Sequence, residues 1–383
     1  MITIIADNKI PFLKGALEPY ASIIYMDGHK IDSASVENAD ALLIRTRTIC
    51  NETLLRGSRV KFIASATIGF DHIDTDYCDA SSIFWTNAPG CNAASVQQYI
   101  ASILAILVVS HDISLYGKTL GIIGVGHVGK KVEALARLLE MKVLLNDPPR
   151  ARNEGNSGFV SLERLITESD IITLHVPLNS IGEDKTIHLI NEATLRLMKK
   201  GSWLINSSRG EVVDIGALKS ALSEGRLSGT AFDVWENEPV IDPQLLEYVT
   251  FATPHIAGYS TDGKRNGTVQ IVRSLGAHFG LPLTEWEPSW IPEPSDPLIM
   301  LDCPNHPLEN LVCQAILHTY NVTDDDFRFR SNPGDFEMQR DNYPVRREFP
   351  AYNMILKNGS DFQKEIFEKL GFNIIKMEPP KLP

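Results

Sequence analysis

Apolar positions along this chain follow two periods in alternation. Short β-branched runs recur at Ile2–Ala6, Ile23–Met26, Ala41–Ile44, Phe62–Ala66 and Ile83–Thr86, with helical or loop segments between them. Buried strands of an α/β unit read this way. A long helical pattern runs from Asn92 to about Ser110, with Asn92 placed to cap it. Six more strand-like runs follow at Leu120–Val125, Val143–Asn146, Ile171–Val176, Trp203–Ser207, Thr230–Val234 and Val249–Thr253. Helical stretches separate them. In the first of these, Val128, Val132, Leu135, Leu138 and Leu139 repeat at the helical spacing. Strict alternation of strand and helix predicts doubly wound parallel sheets.

Thr261 to Phe279 is helical again and is expected to return the chain to the first body. Leu281 to Pro297 holds five prolines, too many for a helix or a central strand, and reads as a linker. Beyond it, Pro307–Tyr320 reads as helix. Tyr352–Leu356, Asp361–Leu370 and Asn373–Met377 read as strand, helix and strand. Asp324-Asp325-Asp326 reads as a solvated loop. The fold class expected is α/β, with two Rossmann-like doubly wound parallel-sheet domains and a small α+β domain at the C-terminus.

One segment carries a specific chemical signal. Thr119-Leu-Gly-Ile-Ile-Gly-Val-Gly-His-Val-Gly129 places Gly124, Gly126 and Gly129 between a predicted strand and a predicted helix. Gly124 permits the tight turn, Gly126 lets a pyrophosphate approach the backbone, and Gly129 lets helix and strand pack closely. His127 and Val128 complete the loop, and the helix N-terminal N–H groups face the phosphates. Asp147 ends the next apolar run. It can accept the ribose hydroxyls and would repel a 2′-phosphate, so NAD is expected rather than NADP.

Composition narrows the remaining classes. The 383 residues carry a formal net charge of −12, which argues against nucleic acid or an anionic membrane as partner. The five cysteines (Cys50, Cys78, Cys91, Cys303, Cys313) show no zinc spacing, so no metal is expected and the thiols read as reduced in a cytoplasmic protein. No signal peptide is visible, and the longest apolar run, Ile100 to Val109, is short for a membrane span.

Three further motifs sit where later strands end: Asn206-Ser-Ser-Arg-Gly210, Phe232-Asp-Val-Trp-Glu-Asn-Glu-Pro239 and Pro254-His-Ile-Ala-Gly-Tyr259. Ligands of open α/β sheets bind beyond the carboxyl ends of strands, so an arginine, an acid and a histidine are brought toward the dinucleotide. Oxidation of a hydroxy acid needs such a set. Histidine, with an ordinary pKa near 6.5, takes the hydroxyl proton. A carboxylate orients the imidazole, and an arginine holds the substrate carboxylate.

With GVGHVG, Asp147, His175-Val-Pro177, NSSRG, DVWENEP and PHIAG in this order, residues 1–280 resemble the D-isomer-specific 2-hydroxyacid dehydrogenase family. The resemblance implies Arg209 as the substrate-binding arginine, Glu238 as the acid paired with histidine, and His255 as proton donor and acceptor. Glu236 is the rival for the acid, and the family pattern favours the one before proline. It implies Asp233 at the nicotinamide carboxamide, and His175, Val176, Ser207, Ser208 and Gly258 along the cofactor. Val176 stands where relatives can have threonine, which leaves backbone or apolar contact. Substrate contacts are implied at Thr46, Thr67 and Tyr259. Thr46 stands where the family commonly has serine. Arg45 and Arg47 are candidates for a substrate phosphate and equally for ion pairs at the strand end. The expected domains are 1–92 with 257–285 for substrate, 93–256 for NAD, and 286–383 for dimerisation. The expected partners are a small phosphorylated 2-hydroxy acid and a second copy of the chain. Rival readings are a sister dehydrogenase acting on 3-phosphoglycerate or glycerate, or a non-catalytic NAD(H) sensor.

Overall fold

In the computed structural model, which describes residues 2–376, the chain divides into two compact units. Met1–Ala93 and Tyr259–Pro292 form the first. Ala94–Gly258 and Glu293–Pro383 form the second. In this division the C-terminal segment groups with residues 94–258.

The first unit is built on β1 (Ile2–Asp7), β2 (Ala21–Met26), β3 (Ala41–Ile44), β4 (Phe62–Ser65) and β5 (Phe84–Thr86). They pair in parallel in the order β2-β1-β3-β4-β5. Successive side chains of a strand point to opposite faces. Ile4, Leu43 and Phe62 pack with Ile271, Val272 and Leu275 of the helix Thr261–Phe279 on one face. Ile5, Leu42 and Ile63 pack with Val36, Leu54 and Leu55 on the other. Both faces are covered, which is why these strands are continuously apolar. The winding reverses between β1 and β3, so the loops after these two strands border the crevice where open sheets bind ligands. The proline-rich stretch is not wholly a linker. Leu283 is buried in this core and Trp286 packs against it.

The second unit carries β6 (Thr119–Ile123), β7 (Lys142–Asn146), β8 (Ile171–Leu174), β9 (Ser202–Asn206), β10 (Leu227–Phe232) and β11 (Phe251–Ala252). All pair in parallel, in the order β11-β10-β9-β8-β6-β7. The switch point lies between β6 and β8. The helix Ala93–His111 is longer than its apolar run suggests, and by length and composition it could cross a membrane. It is instead a core helix, with 72% of its apolar window buried. Several of its polar side chains bond within this unit: Ser95 to the Ala257 carbonyl, Gln98 Nε2 to Thr319 and Arg347, and Tyr99 to Thr253.

The C-terminal part adds β12 (Leu298–Asp302), β13 (Asn353–Lys357) and β14 (Asn373–Ile374), with the helices Leu308–Thr319 and Asp361–Leu370. All three strands run parallel, so this part is α/β in character where α+β is expected from sequence. β12 follows Pro297 directly and is not apparent from sequence. The expected end of the last strand, Met377, lies outside the described residues.

The three aspartates at 324–326 correct the sequence reading. They lie in the helix Val322–Ser331, whose cap is Asn321, and Asp325 is buried at 3% exposure. Acids in a first helical turn suit the helix dipole. Asp325 is satisfied by Tyr320, Tyr343 and Arg328. Composition alone cannot reveal that these partners converge on it. All five cysteines are buried free thiols.

Candidate active site

The glycine loop leaves β6 as expected of a tight turn. Gly124 has φ +88°, and a Cβ there would lie 2.6 Å from the His175 carbonyl oxygen. A Cβ on Gly129 would lie 2.2 Å from the Gly124 carbonyl oxygen, so the helix His127–Leu138 packs on the loop itself. A Cβ on Gly126 would meet nothing within 4 Å. Gly126 caps that helix without a side chain, leaving its first N–H groups open to an anion. His127 is exposed and Val128 half-buried. Asp147 accepts from Val125 N at 2.8 Å and from Arg150 N at 3.1 Å. Each carboxylate oxygen keeps a further lone pair for a ribose hydroxyl.

Across the switch point, His175 N donates to Ile123 O at 2.7 Å, and its Nε2 meets Thr173 Oγ1 at 3.0 Å. Burial pushes this imidazole down to about 3, so it is neutral. Val176 sits against Gly124 and offers only apolar contact. After β9, buried Asn206 shapes the next loop. Its Oδ1 accepts from Ser208 N and Oγ, and its Nδ2 donates to Arg209 O at 2.9 Å. Ser207 Oγ is buried with no hydrogen-bond partner, an orphan hydroxyl. Such an orphan is costly unless a ligand satisfies it. Together with the open face at Gly126, it shows that these residues fit a dinucleotide.

Arg209, Asp233 and His255 follow β9, β10 and β11, three neighbours at one edge of the sheet. Gly210 is required where it stands, because a Cβ would lie 2.0 Å from the Trp235 carbonyl carbon. Asp233 is 1% exposed. Its carboxylate accepts from Thr253 Oγ1 (2.6 Å), Ile256 N (2.7 Å) and Ala257 N (2.8 Å), while its carbonyl accepts from His255 N (2.7 Å). Burial raises its pKa, against the lowering by His255 and these donors. Asp233 thus fastens the loop that carries His255. That residue has φ +56°, a left-handed conformation uncommon outside glycine.

Glu238 Oε2 meets His255 Nδ1 at 2.7 Å, and its Oε1 accepts from Trp235 N at 2.9 Å. Burial works against the Glu238 charge, yet His255 and the Trp235 N–H hold its carboxyl below the usual range. Glu236 lies elsewhere, 3.7 Å from His188 Nε2. The imidazole is therefore oriented by the acid before proline. Its Nε2 is the atom left for proton exchange.

In the first unit, Arg45 follows β3, and its guanidinium reaches Tyr259 Oη at 3.4 Å and the Lys9 carbonyl at 3.5 Å. Lys264 lies over the Tyr259 ring at 4.5 Å. Arg45 and Arg47 also act on buried Asp7, whose pKa is raised by burial and lowered by both arginines. Thr46 is exposed. Thr67 Oγ1 meets Ser65 Oγ at 2.8 Å and donates to the Gly69 carbonyl at 3.1 Å. Sequence reasoning missed Asn206, Trp235 and Thr253. A polar residue closing an apolar strand, as Asn206 does, was the available signal.

Residues 108–257 match the family model described as D-isomer specific 2-hydroxyacid dehydrogenase, NAD binding domain, and residues 294–371 match a domain of unknown function. The erythronate-4-phosphate dehydrogenase of Bacteroides thetaiotaomicron is 49% identical over 354 residues, which cover 92% of this chain and 99% of that one. The chain belongs to the erythronate-4-phosphate dehydrogenases of the D-isomer specific 2-hydroxyacid dehydrogenase family. The Escherichia coli erythronate-4-phosphate dehydrogenase is 37% identical over 376 residues, covering 97% of this chain and 98% of that one. Among solved structures, the D-lactate dehydrogenase of Aquifex aeolicus, complexed with NAD and lactic acid, superposes with a TM-score of 0.59 at 29% identity. That match covers 73% of this chain and 95% of the other. In this D-2-hydroxyacid dehydrogenase, the sheet from β6 to β11 is the NAD-binding domain.

Proposed function

We infer that this chain oxidises the C2 hydroxyl of 4-phospho-D-erythronate, giving 3-hydroxy-2-oxo-4-phosphobutanoate, within pyridoxal 5′-phosphate biosynthesis. It is an NAD-binding 2-hydroxyacid dehydrogenase with near full-length likeness to erythronate-4-phosphate dehydrogenases. The observation that carries the chemistry is the 2.7 Å pair of Glu238 and His255 beside the glycine loop's sheet.

Gly124, Gly126, His127, Val128 and Gly129 would cradle the pyrophosphate, and Asp147 would take the ribose. Ser207, Ser208, His175, Val176, Asp233 and Gly258 line the rest. NAD held there would supply the acceptor for the C2 hydride. His255 Nε2 takes the hydroxyl proton, a contribution of typically about 10²–10⁴-fold. Glu238 holds Nδ1 and stabilises the imidazolium. Arg209 binds the substrate carboxylate. Arg45, Arg47, Thr46, Thr67 and Tyr259 in the first unit are the proposed contacts for the phosphate end. The enzyme is proposed to work in the cytoplasm as a homodimer through its C-terminal domain. In support, β12 is an edge strand with Leu298 and Met300 exposed by 40% and 58%.

NADH formation is measured with 4-phosphoerythronate, erythronate and 3-phosphoglycerate side by side, and the phosphorylated four-carbon acid should be fastest. Equal rates with and without the phosphate refute the substrate reading. His255→Ala should lose orders of magnitude in kcat and still bind NAD. Near-normal turnover in that variant sinks the role given to His255.

A further inference from the structure

The segment matched by a domain of unknown function reaches the loop of the proposed acid–base histidine from behind. Three consecutive N–H groups, of His255, Ile256 and Ala257, are held by Asp233. The next carbonyl, Ala257 O, accepts from Arg346 Nη2 at 2.5 Å and from Ser95 Oγ at 2.8 Å. Arg346 Nη2 also bonds Ser95 Oγ. Arg346 is 4% exposed. Its guanidinium stacks over the Tyr320 ring at 4.3 Å and donates to Tyr343 Oη at 3.3 Å. Both tyrosine hydroxyls donate to buried Asp325, at 2.9 and 2.5 Å. The buried cation is thus balanced by a buried anion through two phenols.

Other contacts bring the same segment to the rest of the site. Asp326 Oδ1 accepts from Ala252 N, at the end of β11 and three residues before His255, at 2.7 Å. Arg330 donates to the Leu246 and Val249 carbonyls at 2.6 and 2.8 Å. The Phe329 ring lies 5.9 Å from that of Trp235, whose N–H holds Glu238. A buried ion network is a poor way to gain stability, since apolar residues of equal volume often do as well or better. Its distinctive yield is fixed geometry. Here it ends on the carbonyl two residues past a histidine held at positive φ, a conformation that persists only where its surroundings over-determine it.

We propose that the C-terminal segment positions the acid–base histidine within its own chain, with Arg346 as the positioning residue that clamps the Ala257 carbonyl opposite Asp233. This rests on reading His255 as the acid–base group.

The test uses the full chain, with NADH formation from 4-phosphoerythronate as readout. Arg346→Met, Arg346→Lys, Ser95→Ala and His255→Asn are compared, together with each of the first three combined with His255→Asn. Arg346→Met should lower kcat by about 10- to 100-fold, the scale of a misplaced reacting group. NAD binding and self-association should be retained, and Arg346→Lys should recover part of the loss. Combined with His255→Asn, Arg346→Met should add no further loss, because residues acting as a unit are non-additive. Wild-type kcat in Arg346→Met overturns the proposal, as does an equal further loss in the His255→Asn background. Should Arg346→Met not fold, Ser95→Ala removes the other donor to the same carbonyl. Its smaller loss must likewise vanish when combined with His255→Asn, and a loss that persists overturns the proposal. Near-normal activity of His255→Asn itself would instead overturn the acid–base reading on which the proposal stands.

Discussion

Replacing Glu238 with glutamine changes one atom type and should cost far more than the lost charge alone. Glu238 faces two partners at once: Oε1 takes the Trp235 N–H at 2.9 Å and Oε2 takes His255 Nδ1 at 2.7 Å. An amide has one oxygen and one NH₂. The Trp235 N–H is a fixed donor, so it claims the oxygen and turns the NH₂ toward His255. Nδ1 must then accept, which places the ring proton on Nε2, the atom proposed to take the substrate proton. Losing the charge-assisted bond removes about 1.5–3 kcal/mol, or roughly 10- to 150-fold. The wrong tautomer adds to this, and an analogous acid-to-amide change in the serine-protease triad lowers kcat by about 10⁴. The side chains of Glu238 and His255 are only 23% and 32% exposed, so water does little to rescue the geometry. We therefore expect Glu238→Gln to lower kcat for 4-phosphoerythronate oxidation by at least about 10²-fold. Steady-state NADH absorbance measures this, with NAD titration by fluorescence as control. A variant within threefold of wild type, or one that loses NAD binding instead of turnover, would refute the reasoning.

Gly129→Ala should lower the melting temperature and weaken NAD, because its Cβ would meet backbone at 2.2 Å, and overpacking of this kind costs about 1–3 kcal/mol. Gly126→Ala has open space and should keep its melting temperature while losing NAD affinity; equal melting losses in the two variants would contradict the loop assignment. The imidazoles of His72 and His175 are depressed by burial to about 4 and about 3 from 6.5. Protonation therefore favours the unfolded chain as pH falls below about 6.5, by at most about 1.4 kcal/mol per pH unit for each. Residual exposure of both rings reduces this. The melting temperature should drop between pH 7 and 5, and less so in a His72→Gln, His175→Gln double variant; identical pH dependence in the two proteins would count against buried neutral imidazoles.

Much of the site is legible because it obeys a local rule. Gly124, Arg209, Asp233 and His255 each come shortly after an apolar run, and in a parallel sheet that means one edge of one crevice. The glycines are legible for the same reason: positive φ at Gly124 and close approach at Gly129 are demands of the turn itself. What was hidden depends on partners far along the chain. Asp324-Asp325-Asp326 looks like a solvated loop until the Ala252 N–H, 74 residues away, is seen on Asp326. Arg346 looks like any surface cation until the Ala257 carbonyl, 89 residues away, is found beneath it. Nothing in a hydrophobic pattern encodes such a pairing.

Three acids follow strands of the NAD-binding sheet, and their hydrogen bonds sort them into different work. Asp147 accepts two backbone N–H groups and is partly exposed, so its charge is fixed and available to an incoming hydroxyl. Asp233 takes three donors, all of which lie within residues 253–257, so most of its accepting capacity goes to the shape of one loop. Glu238 divides its oxygens between one N–H and one imidazole, so of the three it alone is bonded to the proposed acid–base group. The count and kind of donors on each carboxylate, more than its position after a strand, therefore separates the roles proposed for them in cofactor recognition, loop positioning and proton transfer. By that criterion Asp233→Asn, which must turn an NH₂ toward a backbone donor, should disturb His255 before it disturbs NAD.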